Sequence, residues 1–240
     1  MLWKRDSQTV SLVVNRAPYP DDDDDAFRRQ DYCMSVLKES SPWWVAPHFL
    51  DLESDVPGGE LKDDSFRHLG EEPPLPSVRE MMNWAINQGT AWAGVAVSDL
   101  IFTTAAWPAF QEGDYQILVA RASQVPNLDE GDRIVATPIK KRNELSLDAL
   151  FVRGEAKRQF LDDFPGVFLA EYWDDTAQAW ARRHRDLGIC VLNHHETMHK
   201  VHDPAWSEGV TVNDMGTLSD LRPVGIYNLS MLGEFKKARR

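Results

Sequence analysis

The sequence predicts an α+β protein. It would have an antiparallel β-sheet or small barrel-like core, several flanking helices and a long irregular Pro-rich N-terminal arm. Three observations predict this. Glu112-Gly113-Asp114 precedes the apolar run 115–120, and Glu130-Gly131-Asp132 precedes the run 133–137. A Gly-Asp turn feeding a β-branched run, used twice, is the pattern of two neighbouring antiparallel strands. Helix signals recur at 77–89, 146–164 and 167–184. Residues 1–76 are so densely punctuated by Pro, Gly and Asp that they read as an arm, leaving 77–240 as the globular core of what is one domain overall.

The elements follow in order. Gln8–Asn15 has strand character, because Val10, Leu12 and Val14 alternate with their neighbours. Asp21 to Asp25 is a run of like charges that stays solvated as a loop. Phe27–Lys38 reads as a short helix with Tyr32, Val36 and Leu37 on one side. Pro42 and Pro47 exclude a regular helix from 41–50, and the adjacent Trp43 and Trp44 cannot both face one core from a strand. Residues 51–76 read as loop.

Ser77 with Glu80 three residues on forms a capping box for a helix that buries Met81, Met82, Trp84, Ala85 and Ile86 and ends at Gly89. The apolar stretch 91–106 is buried core. Ser146 caps a helix reaching Phe164, which Pro165-Gly166 breaks. A further helix over 167–184 carries Arg182, Arg183, His184 and Arg185 in its last turn, where cations complement the helix dipole. Strand-like runs follow at 189–192, 210–213 and 224–229.

Charge and cysteine content exclude several functions. The 240 residues carry 38 acidic and 26 basic side chains, a net charge of -12, so phosphate backbones are not bound by bulk electrostatics. The short basic run 236–240 reads as a solvated terminus. Cys33 and Cys190 provide neither a four-cysteine zinc site nor a disulfide framework. Residues 1–6 show no secretory h-region, and a cytoplasmic, reducing location is expected. The run 91–110 has the length of a membrane span, but Asp99 at its centre costs about 2.5–3.5 kcal/mol on insertion. No GxGxxG, phosphate loop or GxSxG is found.

Four histidines, His194, His195, His199 and His202, fall within residues 194–202. His195-Glu196-x-x-His199 resembles the HExxH signature of zinc-dependent proteases. That resemblance implies a helix with both histidines on one face holding zinc, and Glu196 as general base on the bound water. A third ligand would come from downstream, where Glu208, Asp214 and Glu234 lie. Asp203-Pro204 leaves such a helix barely two turns, and the longer HExxHxxGxxH form fails, with His202 at the Gly and Ala205 at the third ligand. The plainer account makes Glu196 a helix cap and the histidines an exposed polar face.

Two functions are therefore expected. The first is a non-catalytic component of a larger assembly, such as a phage or viral particle or a bacterial multi-subunit complex. Trp43 and Trp44 would face a protein partner or a second copy, and no cofactor would be needed. The alternative is a zinc hydrolase built on His195, Glu196 and His199.

Overall fold

The computed structural model describes residues 9–16, 24–51, 68–69, 75–98, 100–102, 104–120, 123–125, 147–167, 169, 173–192 and 197–200. The strands are β1 (Val10–Arg16), β2 (Val45–Asp51), β3 (His68–Leu69), β4 (Leu75–Pro76), β5 (Trp92–Val97), β6 (Leu100–Phe102), β7 (Ile117–Ala120), β8 (Ser123–Val125), β9 (Ala149–Arg153), β10 (Ile189–Leu192) and β11 (Thr197–Lys200). The helices are α1 (Asp24–Ser40), α2 (Val78–Asn87), α3 (Glu155–Asp163) and α4 (Trp173–Arg183).

Six strands form one sheet in the order β10-β7-β9-β5-β1-β2. β1 runs parallel to both β2 and β5, and β10 runs parallel to β7. β9 is antiparallel to β5 and to β7, so five strands point one way and β9 alone is reversed. This corrects the expected antiparallel or barrel-like core. The N-terminal arm is corrected with it. β1 lies inside the sheet between β2 and β5, and α1 crosses from β1 to β2.

Helices cover both faces. On one, Leu37 of α1 packs with Val10, Leu12, Val14 and Phe49 and with Trp107 and Phe110 of the 3-10 helix Thr104–Phe110. On the other, α2, α3 and α4 pack on Val13, Leu50, Ala93, Val95, Ile117, Val119, Leu150 and Val152. Strands covered on both sides read as continuous apolar runs. That explains the misreading of β9. Leu147, Leu150 and Phe151 have helical spacing, yet Ala149-Leu150-Phe151-Val152 is entirely buried strand. The helix begins only after Gly154, whose φ of 54° suits glycine.

Elsewhere sequence and structure agree more closely. α1 extends the expected 27–38 helix at both ends and takes in Asp24 and Asp25 from the aspartate run. α2 starts after Ser77 as expected, but the Ser77 side chain makes no cap hydrogen bond, so the capping box is not formed. Gly89, with φ 72°, follows its end. The helix read over 167–184 occupies Trp173–Arg183, and 189–192 is β10. Pro47 sits in β2, at one end of the sheet order. The runs 133–137, 210–213 and 224–229 and the tail 236–240 lie outside the described residues. Among the described residues no helix is long and apolar enough to cross a membrane.

Tyr115 shows how the bottom of the sheet is held. Its hydroxyl donates to the Ala109 carbonyl, and Arg153 lies 5.4 Å from the ring centroid. Burial pushes the phenol above its ordinary value, with a hydrogen bond to Cys190 adding to the shift. The folded state therefore holds this proton more tightly than the unfolded chain, which loses it near pH 10. Stability from this group is complete below about pH 10 and falls as pH rises beyond it. Unfolding in urea at pH 8 and pH 11 should show a loss that Tyr115→Phe reduces. An equal alkaline loss in both proteins would refute this.

Candidate functional site

The connections around β1 locate the site. The chain leaves β1, crosses one face through α1 and enters β2. It then returns over the opposite face through α2 and enters β5 on the other side of β1. The strand order thus reverses at β1. In open α/β sheets a crevice forms outside the carboxyl ends of the strands at such a reversal, because neighbouring loops depart in opposite directions.

Buried polar side chains gather at that edge. Asn15, near the end of β1, is in register with Leu50 and Val97 and is 2% exposed. Gln30 of α1 is fully buried, and Ser98, just past β5, donates to its Oε1 at 2.6 Å. Asp148 joins the row from the reversed strand. Its N–H donates to the Ala120 carbonyl, and its own carbonyl accepts from Val97 N–H. Asp51 is the last residue of β2. In sequence Asp99 follows Ser98, although it lies outside the described residues.

A second small sheet stands beyond the same edge. It has the order β6-β11-β8. β6, β8 and β11 each begin within a few residues of the carboxyl end of β5, β7 or β10. β11 pairs with β6 antiparallel and β8 parallel, with His199 in register with Leu100 and Gln124. His199 is therefore opposite the residue that follows Asp99.

α4 adds an acidic helix start. The short turn 184–188 links α4 to the beginning of β10, so the helix runs against the strand and its first turn lies toward the carboxyl edge. Leu169 N–H bonds to the Pro76 carbonyl and Val78 N–H to the Val167 carbonyl, tying the approach to α4 to the start of α2. Trp173, Thr176 and Gln178 are buried there, and Asp174 is half-buried.

The residues singled out from sequence fall differently. His195 and Glu196 lie outside the described residues. His199 does not stand on a helix: Thr197–Lys200 is a strand held between two others. The i, i+4 spacing that would join two histidines on a helix face is therefore not available across it. Among the described residues no group of three or more His, Cys, Asp or Glu is placed to hold a metal. Trp43 is 79% exposed, whereas Trp44 is half-buried and meets Trp107 edge-on at 6.3 Å. Both precede β2 and so lie at the amino edge, away from the crevice.

Both expected functions are corrected by these facts. The zinc hydrolase needed a helix where β11 lies. The non-catalytic assembly component was inferred from an irregular arm, and that arm supplies β1 and the crevice beside it. Sequence reasoning missed Asn15, Gln30, Ser98 and Asp148. The available signal was a polar residue at the very end of an apolar run, Val-Val-Asn at 13–15 and Val-Ser-Asp at 97–99.

No protein-family model and no curated protein matches this sequence. Among solved structures, the chain is similar to a mutant of Drosophila β1,4-galactosyltransferase 7 in complex with manganese, UDP-Gal and xylobiose. The identity is 13%, over 82% of this chain and 72% of that one, at a TM-score of 0.40. It is similar to a glycosyltransferase involved in glycosylation of the major capsid of PBCV-1, at 9% identity over 83% and 98% of the two chains and a TM-score of 0.38. It is also similar to the inositol-1-phosphate CTP transferase of T. maritima, at 12% identity over 88% and 96% and a TM-score of 0.39. At such identities and scores the chain is placed in no family.

Proposed function

We propose that the chain is a nucleotide-dependent transferase that binds a nucleoside diphosphate-linked substrate across the carboxyl edge of β1, β2 and β5. The observation that carries this reading is the reversal of strand order at β1, with buried Asn15, Gln30 and Ser98 collected beside it. An assembly protein has no need of buried polar groups at a strand-end crevice, where each must be hydrogen-bonded at a cost to packing.

The acidic balance of the chain makes phosphate binding depend on a counter-charge. A divalent cation on the diphosphate would supply it by neutralising charge on the leaving group, with Asp99, which follows Ser98 in sequence, proposed as its carboxylate ligand. Asp174, in the first turn of α4, is proposed to accept the proton of an acceptor hydroxyl. The hydroxyl oxygen forms the new bond, the bond to the diphosphate breaks, and the nucleoside diphosphate leaves. UDP-Gal and manganese, bound by the Drosophila enzyme, are the natural first ligands to try.

The test is calorimetric binding of UDP, GDP, ADP and CDP with and without Mn²⁺, followed by turnover of the corresponding nucleotide sugars. Micromolar, Mn²⁺-dependent binding is expected. Asp99→Asn should lower that affinity about 10-fold to 100-fold, the scale of a lost charged contact. Asp174→Asn should keep the affinity and lower turnover about 100-fold or more, as for removal of a general base. Absence of nucleotide binding by the unaltered protein would sink the reading.

A further inference from the structure

Asn15 carries an unmet need. Its Oδ1 is buried and accepts no hydrogen bond among the described residues. The hydroxyls of Ser11, Ser41 and Ser77 share that condition, but a hydroxyl can rotate toward whatever acceptor or donor comes near. A carboxamide oxygen can only accept, and from fixed directions. An interior acceptor left unpaired is destabilising, and leucine at this position would extend the apolar face that Val13 presents to α2. Only the oxygen's place gives it a use. It lies near the carboxyl end of β1, where the strand order reverses, in register with Val97.

We propose that Asn15 reads the base of the bound nucleotide, with Oδ1 accepting a hydrogen bond from a base N–H. This rests on the nucleotide reading above and adds to it the chemistry of the ligand's recognised end. Two kinds of base group can supply such a donor. Uracil and guanine present a ring N–H, and adenine, cytosine and guanine present an exocyclic amine. Because the acceptor is withdrawn from water, a ligand without the donor leaves it stranded, which makes the contact selective.

The experiment compares UDP, GDP, ADP and CDP binding to the unaltered protein and to Asn15→Leu, with the thermal midpoint of each. The base that binds best identifies the donor. For that nucleotide, Asn15→Leu should lose about 10-fold to 100-fold in affinity while its thermal midpoint rises. The same nucleotide with every hydrogen of its donor nitrogen replaced by methyl (one methyl on a ring N–H, two on an exocyclic amine) should lose as much on the unaltered protein, a measurement that needs no variant to fold. Unchanged affinity in Asn15→Leu, or full affinity for the methylated nucleotide, overturns the role of Asn15 and leaves the nucleotide reading standing. A fall in the thermal midpoint would show that Oδ1 is satisfied within the protein and would also overturn it. If none of the four binds the unaltered protein, the nucleotide reading fails and takes this inference with it.

Discussion

Trp180→Ala is expected to destabilise the protein by about 3–5 kcal/mol, the range for removing a large buried aromatic. Trp180 is 2% exposed. Its ring meets Phe160 at 5.3 Å and Phe164 at 5.9 Å, both near perpendicular, while those two rings stack on each other at 4.1 Å. The indole N–H donates to Asp163 Oδ1 at 2.7 Å. The same carboxylate faces His184 Nε2 at 3.0 Å and Arg183 at 3.2 Å, so one acid joins the end of α3 to the end of α4. Alanine removes the ring that packs between α4 and the end of α3 and one of the donors to Asp163. Trp180→Phe should cost less, because a ring still fills most of the space and Asp163 keeps its charged partners. Urea unfolding of the two variants measures this. A loss below about 1.5 kcal/mol for Trp180→Ala would mean that the site collapses readily and that α4 is not held by this cluster.

Gly94→Ala is expected to be destabilising even though alanine is no worse a strand residue. A Cβ at position 94 would penetrate the Phe151 ring, which sits on the neighbouring strand in direct register with Gly94. The ring has nowhere to go. Phe151 is fully buried, with Phe110 at 4.8 Å and Phe102 at 5.9 Å. Overpacking of this kind costs about 1–3 kcal/mol. Gly94→Ala combined with Phe151→Leu should recover part of the loss, because the smaller side chain vacates the space. Additive losses in the double variant would show that the two positions do not share that space.

The elements with a clear local signal were legible in the sequence. The alternation of Val10, Leu12 and Val14 marks β1, and the apolar face of 78–86 marks α2. The pairing of those elements was not legible. β1 meets β5 across some eighty residues of chain, and neither strand carries a local mark of its partner or of its direction. The paired Gly-Asp turns suggested a hairpin. β7 instead pairs with β9 and β10, both distant in sequence. The histidine pattern was legible as a pattern but not as a helix, because β11 takes its conformation from β6 and β8 on either side. The crevice stayed hidden for a related reason. It is made by where the strands end together, and Asn15, Val97 and Asp148 come into one row only once the sheet is assembled.

The position of Pro47 bears on how copies of this protein meet. Val10 N–H bonds to the Trp44 carbonyl, so residues 44, 46 and 48 of the β2 segment turn their backbone groups toward β1. Residues 45, 47 and 49 turn theirs outward. Proline offers no N–H, so the middle of that outward row lacks a donor and cannot template an added strand. Association through sheet extension at β2 is thereby discouraged, whatever other surfaces the molecule uses. Nature often guards the end of a sheet in this way, and here the guard is built into a strand that also frames the crevice. Concentrated solutions should remain free of cross-β material while Pro47 is in place, and a β-branched residue there would remove that protection.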